Sequence, residues 1–363
     1  MKSESQRVFG LDFLRAWAIL FVLIAHTHLA AGSTQGKFAG MLGFYGVELF
    51  FVLSGFLIGG ILMKSVTLES DFQTLSGFWI RRWFRTLPNY FLFLILCLLL
   101  YPALQAYSGF ISTEHWPRYF VFLQNFASAN PEFFPESWSL AIEEWFYLLF
   151  PPVFLMLCKK TKAPDRSFIF TALIFLFGSL LMRFKPAFDA AAQFDADVRK
   201  VVIYRLDSLM FGVIAAFIAE RCPAVWKKYG RPALGTGLTL FVLFFVFLYI
   251  FEPYQKAWAK ILVFPVVSLS FAFLLPFFSE WKKTELPFAG LFHKIALWSY
   301  SLYLCHFLVA LIFRALSGQG KIQVFIASDW AFRAVYWACC FAVAAIVYTC
   351  YERPLMNLRE KFR

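Results

Sequence analysis

Two positions in the first apolar stretch are spaced for joint chemistry. Arg15 and His26 stand eleven residues apart, and at about 100° per residue a helix carries them onto one stripe about 16 Å apart along its axis. An imidazole in such a setting suits a general base acting on a hydroxyl, and a guanidinium suits an anionic ligand. Asp12, one turn before Arg15, is placed to orient that guanidinium or to sit at the positive end of its own helix. A second group lies in Phe78-Trp79-Ile80-Arg81-Arg82-Trp83-Phe84-Arg85-Thr86-Leu87-Pro88. Arg82 and Arg85 share a helix face there, two adjacent guanidinium forks suit a phosphate-bearing ligand, and Trp79 and Trp83 suit an adenine-like ring. Taken alone, the same motif reads equally as a basic anchor in an interfacial aromatic belt.

A third group is Ser137-Trp138-Ser139-Leu140-Ala141-Ile142-Glu143-Glu144-Trp145-Phe146-Tyr147. Glu143 lies about five residues, roughly 7 Å, inside the outer end of its apolar stretch, and His26 about four inside its own. The two are therefore expected to meet, the carboxylate fixing the imidazole tautomer and stabilising its charged form. His306, in Tyr300-Ser301-Leu302-Tyr303-Leu304-Cys305-His306, fits either a packing or a supporting role. Glu352 closes the last apolar stretch at the level of Arg15, Arg82 and Arg85 and is expected to pair with one of them.

Positioning these residues falls to membrane helices. Of 363 residues, 61% are hydrophobic and 15% charged, with mean hydropathy +0.66, against about one quarter charged in a soluble domain. An ordinary soluble enzyme is excluded. The net charge of +12 does not point to nucleic acid, because the cations punctuate apolar runs and form no single patch. Ten spans are expected, roughly 10–30, 44–63, 87–105, 138–158, 166–184, 202–220, 233–251, 258–278, 292–316 and 331–350. A weaker segment, 116–126, flanked by Pro117 and Pro131, reads as re-entrant or interfacial.

Alternating the spans puts 21 of the 34 Lys and Arg on the side of the N-terminus and 7 on the other, with 6 inside spans. By the positive-inside rule both termini are cytoplasmic. The seven cysteines form no CxxC pair, so neither a disulfide framework nor a metal site is expected. The whole of 1–363 reads as one all-α polytopic membrane domain with no appended soluble domain.

Together these segments resemble the membrane-bound acyltransferase-3 family, the ten-helix O-acyltransferases of bacterial envelopes. The resemblance rests on Leu11-Asp12-Phe13-Leu14-Arg15 followed by His26, on Gly46-Val47-Glu48-Leu49-Phe50-Phe51-Val52-Leu53-Ser54-Gly55-Phe56-Leu57-Ile58, on Arg82 and Arg85, on Trp138-Ser139-Leu140 with Glu143, and on Tyr303-Leu304-Cys305-His306. Many members carry Asp where this chain has Glu48, a change that keeps the charge.

The resemblance implies an integral protein of the bacterial inner membrane. Its donor would be cytoplasmic acyl-CoA, usually acetyl-CoA. Its acceptor would be a hydroxyl of a cell-surface or periplasmic glycan, free or lipid-linked, such as lipopolysaccharide O-antigen, capsule or exopolysaccharide. Arg15, Arg82 and Arg85 would then hold CoA phosphates, and His26 with Glu143 would carry the chemistry, by direct transfer or through a transient acetyl-His26. Asp12, Trp138, Ser139, Glu144, His306 and Glu352 would support them. Some members append an extracytoplasmic esterase-like domain; without one, this chain is expected to offer the acceptor directly to its helical core. Two other functions fit the same residues: O-acylation of a macrolide-like small molecule, and a carrier or flippase for a lipid-linked glycan. The carrier lacks support from any internal repeat. Acceptor selectivity is expected in 106–137 and 185–200.

Overall fold

The structure, a computed structural model, describes residues 7–30, 36–108, 115–129, 133–318 and 329–358. Among them there is no strand. Ten principal helices follow the expected spans: α1 (Phe9–Ala30), α2 (Lys37–Ser65), α3 (Phe72–Ser108), α4 (Ser137–Thr161), α5 (Pro164–Met182), α6 (Asp207–Arg221), α7 (Gly230–Phe251), α8 (Ala257–Ala272), α9 (Ala289–Gly318) and α10 (Asp329–Val347). Among the described residues, nine helices are long and apolar enough to cross a membrane.

The difference from ten lies at the expected span 202–220. Its first residues form a short 3₁₀ turn, Val202–Tyr204, and α6 proper has 15 residues. That is about 22 Å at 1.5 Å per residue, short of a hydrocarbon core. The reason is the charge at its start. Arg205 and Asp207 are both fully buried and must meet partners on neighbouring helices, so the apolar run cannot begin before them.

Segment 116–126 does not span. It holds a six-residue 3₁₀ turn, Trp116–Val121, between left-handed residues His115 (φ 66°) and Phe122 (φ 55°). Irregular backbone at membrane depth needs burial in protein, and here Asn125 and Phe126 accept backbone hydrogen bonds from Val202 and Ile203 at 2.9 and 3.2 Å. The Asn125 amide also donates to the carbonyls of Trp138 (3.0 Å) and Lys200 (2.6 Å), tying the start of α4 to the segment that precedes α6.

α1 packs between α2 and α9, and α2 lies along α6. The α2–α6 crossing needs glycine: a Cβ on Gly55 would lie 2.0 Å from the Leu209 carbonyl oxygen, and one on Gly212 2.0 Å from that of Val52. Close backbone approach through small residues is how membrane helices gain contact without a hydrophobic driving force. The crossing also encloses ions. Arg205 donates to Glu48 at 2.6 Å and to Ser208 at 2.8 Å, while Ser208 and Ser268 donate to Glu48 at 2.9 and 3.3 Å. Arg183 donates to Asp207 at 2.6 Å, and the Arg205 guanidinium lies 3.7 Å from the centroid of the Phe264 ring.

Candidate active site

Two cavities open into the bundle from its opposite halves. The first, about 530 Å³, lies in the half where α1 starts. Arg7 and Arg15 enter it from the start of α1, and Arg81, Arg82 and Arg85 from the start of α3. Its carboxylates are Asp12 and Glu143, so five guanidiniums face two acids. Asp12 accepts from Arg15 at 3.2 Å and lies 3.0 Å from His293 Nδ1 and 3.8 Å from Arg7. The expected orienting role of Asp12 is thus matched by a contact. Trp79 and Trp83 stack on each other, centroids 6.3 Å apart, but neither lines the cavity; Trp79 instead donates its indole N–H to the Tyr147 carbonyl at 2.8 Å.

The second cavity, about 600 Å³, lies in the half where α1 ends. His26 lines it together with His306, Trp138 and the charged residues Lys37, Asp195, Arg199, Lys200 and Glu252. His306 Nδ1 lies 2.7 Å from the Tyr303 carbonyl oxygen. A carbonyl only accepts, so Nδ1 carries the proton and Nε2 of neutral His306 is an acceptor. That Nε2 is 3.3 Å from His26 Nδ1, which is also 2.9 Å from the Val22 carbonyl oxygen. Both neighbours of His26 Nδ1 are acceptors, so Nδ1 is the donor and Nε2 holds the lone pair. The backbone of two helices therefore sets the tautomer a base requires.

The partner of His26 is His306 and not Glu143. Glu143 accepts from Tyr147 at 2.6 Å and lines the arginine cavity, not the histidine cavity. Counting residues from a helix end gives depth, but not the direction in which a side chain leaves the axis. On α4, Ser139 and Glu143 (i, i+4) share the face toward the arginines, and Trp138 faces the other cavity. Glu144 is buried and lines neither. Glu352 accepts from Asn89 at 2.7 Å and Ser301 at 2.6 Å, two neutral donors.

Val47 and Tyr303 line both cavities. The Tyr303 hydroxyl lies 2.6 Å from Ser139 Oγ and donates to the Glu136 carbonyl at 3.0 Å, so Ser139 holds the junction between them.

Sequence reasoning overlooked Tyr303, Lys37, Arg199 and Lys200 as site residues. Arg199 lies over Trp138, 4.8 Å from the ring centroid, and over Phe44 at 5.2 Å. It pairs with Asp195 at 2.6 Å, as does Lys200 at 2.5 Å. Burial works to raise the Asp195 carboxyl, but these two cations outweigh it and hold the group well below the usual carboxylate range. A signal for them was present. Three of the seven cations on the cation-poor side line this cavity, where topology gives them no reason to be. Within the stretches expected to set acceptor selectivity, 135, 136, 193–195, 199 and 200 line the cavity, while 109–114 and 130–132 lie outside the described residues.

Comparison with known proteins gives a consistent set of relatives. A family model described as an acyltransferase domain matches residues 8–352. O-acetyltransferase OatA of Staphylococcus aureus, in strains NCTC 8325 / PS 47 and COL, is 28% identical over 338 residues, 87% of this chain and 53% of the relative. The chain thus spans about half the length of the curated relatives it matches. No solved structure matches it.

Proposed function

The chain belongs to the acyltransferase-3 family, and from that premise we propose that it is a membrane O-acetyltransferase that takes an acyl group from acyl-CoA at one membrane face and gives it to a hydroxyl at the other. The observation that carries this reading is the pair of cavities, one rich in arginine and one holding His26, that share Val47 and Tyr303 in their walls. CoA is polyanionic and cytoplasmic. Its phosphates suit the guanidiniums of Arg15, Arg82 and Arg85, and the 21-to-7 cation asymmetry supports a cytoplasmic position for that cavity.

The acceptor enters from the opposite face. The histidine cavity combines aromatic rings (Phe44, Trp138, Tyr254), side-chain amides (Gln193, Gln255) and charges of both signs, a lining suited to a polyhydroxylated ligand such as a surface or lipid-linked glycan. His26 Nε2 removes the hydroxyl proton as the oxygen bonds to the acyl carbon. The carbon–sulfur bond breaks, and the departing thiolate receives the proton from His26. His306 keeps Nδ1 occupied, so the lone pair stays on Nε2 throughout the approach.

The test uses protein purified in detergent, acetyl-CoA and a surface-glycan extract of the producing cells, read by release of free thiol and by the mass of the acetylated glycan. Wild-type protein is expected to release thiol and acetylate the extract. His26→Ala, folded by its thermal transition, is expected to lose about 10²–10⁴-fold in rate. Undiminished transfer by folded His26→Ala would remove His26 from the mechanism. A carrier would move glycan without releasing thiol.

A further inference from the structure

Acyl transfer between two cavities requires the acyl group to reach the point where they touch. Among the described residues two, Val47 on α2 and Tyr303 on α9, line both. Tyr303 is buried and pinned at two ends: its backbone belongs to α9, and its hydroxyl is tied to Ser139 Oγ and to the Glu136 carbonyl at the start of α4. Its ring packs edge-on to Phe50 at 6.5 Å and lies 5.8 Å from the His306 ring. Val47 is buried on a helix, where a β-branched side chain keeps essentially one rotamer. Neither wall yields easily.

We infer that this junction selects the acyl group by size, with Val47 and Tyr303 as its specificity-determining residues and a short, acetyl-sized chain as the group admitted. The inference rests on the donor and acceptor assignment of the two cavities. The Phe50 ring on the arginine side and the His306 ring on the histidine side leave longer acyl chains to press on Tyr303, whose hydroxyl ties resist displacement. Each extra methylene in a closed apolar pocket commonly changes kcat/KM by about 10–200-fold.

The experiment compares acetyl-CoA, butyryl-CoA and hexanoyl-CoA as donors to the same glycan extract, for wild-type, Val47→Ala and Tyr303→Phe proteins. The readout is the ratio of kcat/KM between donors, which does not change with the fraction of protein folded. Wild-type protein is expected to favour acetyl over butyryl by about 100-fold or more, and Val47→Ala to reduce that ratio by about tenfold or more. Tyr303→Phe, which frees the ring from Ser139 and Glu136, is expected to reduce it in the same direction. Val47→Ala breaks no hydrogen bond, so it carries the test even where a Tyr303 variant fails to fold. An unchanged ratio in an active Val47→Ala protein, or a wild-type protein indifferent to chain length, would overturn the junction as the filter and leave acyl transfer standing. Absence of thiol release from every donor by the wild-type protein would overturn the donor assignment, and this inference with it.

Discussion

Arg183 and Arg205 occur in the same bundle as Arg15, Arg82 and Arg85, yet the fold treats the two groups in opposite ways. Arg183 and Arg205 have no side-chain exposure, and each has its own carboxylate at 2.6 Å, Asp207 and Glu48. In the arginine cavity, five guanidiniums share Asp12 and Glu143. A charge inside a membrane domain is costly by several kcal/mol unless it is paired or wet. The first group is paired and dry, so it belongs to the architecture. The second lines a cavity in which guanidiniums outnumber carboxylates five to two, an excess suited to an anion that comes and goes.

The comparison breaks most visibly at Arg205. Arg205→Ala leaves Glu48 and its two serine donors buried around a missing cation, and breaking a buried pair on one side costs about 3–5 kcal/mol. The expected outcome is a large fall in the thermal transition in detergent and poor recovery of monodisperse protein. The double variant Arg205→Met with Glu48→Gln is expected to recover part of that loss, because no unpaired charge remains. A stable Arg205→Ala protein that lacks only activity would move Arg205 into the functional group and dissolve the distinction.

The second expectation is the mirror of the first. Arg82→Ala with Arg85→Ala is expected to leave the thermal transition nearly unchanged and to raise the KM for acetyl-CoA by about 10–100-fold, the loss of one or two hydrogen bonds between charged groups. Raising ionic strength should narrow the gap between wild type and variant, since the cavity is open to solvent ions. Unfolding of this double variant, with CoA affinity intact in what remains, would make the pair a structural anchor.

How much of this was legible depended on whether a feature is local. Apolar runs and their punctuating charges are local, and nine of the ten spans emerged as helices of sufficient length. The common stripe of Arg15 and His26 is a property of one helix. It survives into the structure as two ends of α1 serving two cavities. The His26–His306 contact joins residues 280 positions apart through the packing of α1 on α9, and no periodicity within either helix announces it. Glu143 failed for a related reason: depth is additive along a helix, but azimuth is set by neighbours. Arg199 was visible as an excess cation on the cation-poor side, and topology arithmetic treated it as a remainder when it was a signal.

A third treatment of buried charge sharpens the contrast with the smallest effect. Glu136, just ahead of α4, is buried, and neither carboxylate oxygen has a hydrogen-bond partner among the described residues. Among the described residues it has no hydrogen-bonded cation, as Glu48 has, and it stands at the wall of the histidine cavity, not in the arginine cavity with Glu143. The fold keeps it neutral, and burial pushes its carboxyl from an ordinary 4.5 up to about 8. Between those values the folded chain holds a proton that the unfolded chain has released. Stability from this group is therefore greatest below about pH 4.5 and is lost as pH rises toward 8. Glu136→Gln cannot ionise, so its thermal transition should fall less steeply than that of wild type between pH 5 and pH 8, and should lie a few degrees above it at the alkaline end, on the order of 2–4 °C for each kcal/mol recovered. Parallel curves for the two proteins across that range would mean that Glu136 is already ionised in the fold, with a partner that compensates it. The bundle would then have only two ways of holding charge, not three.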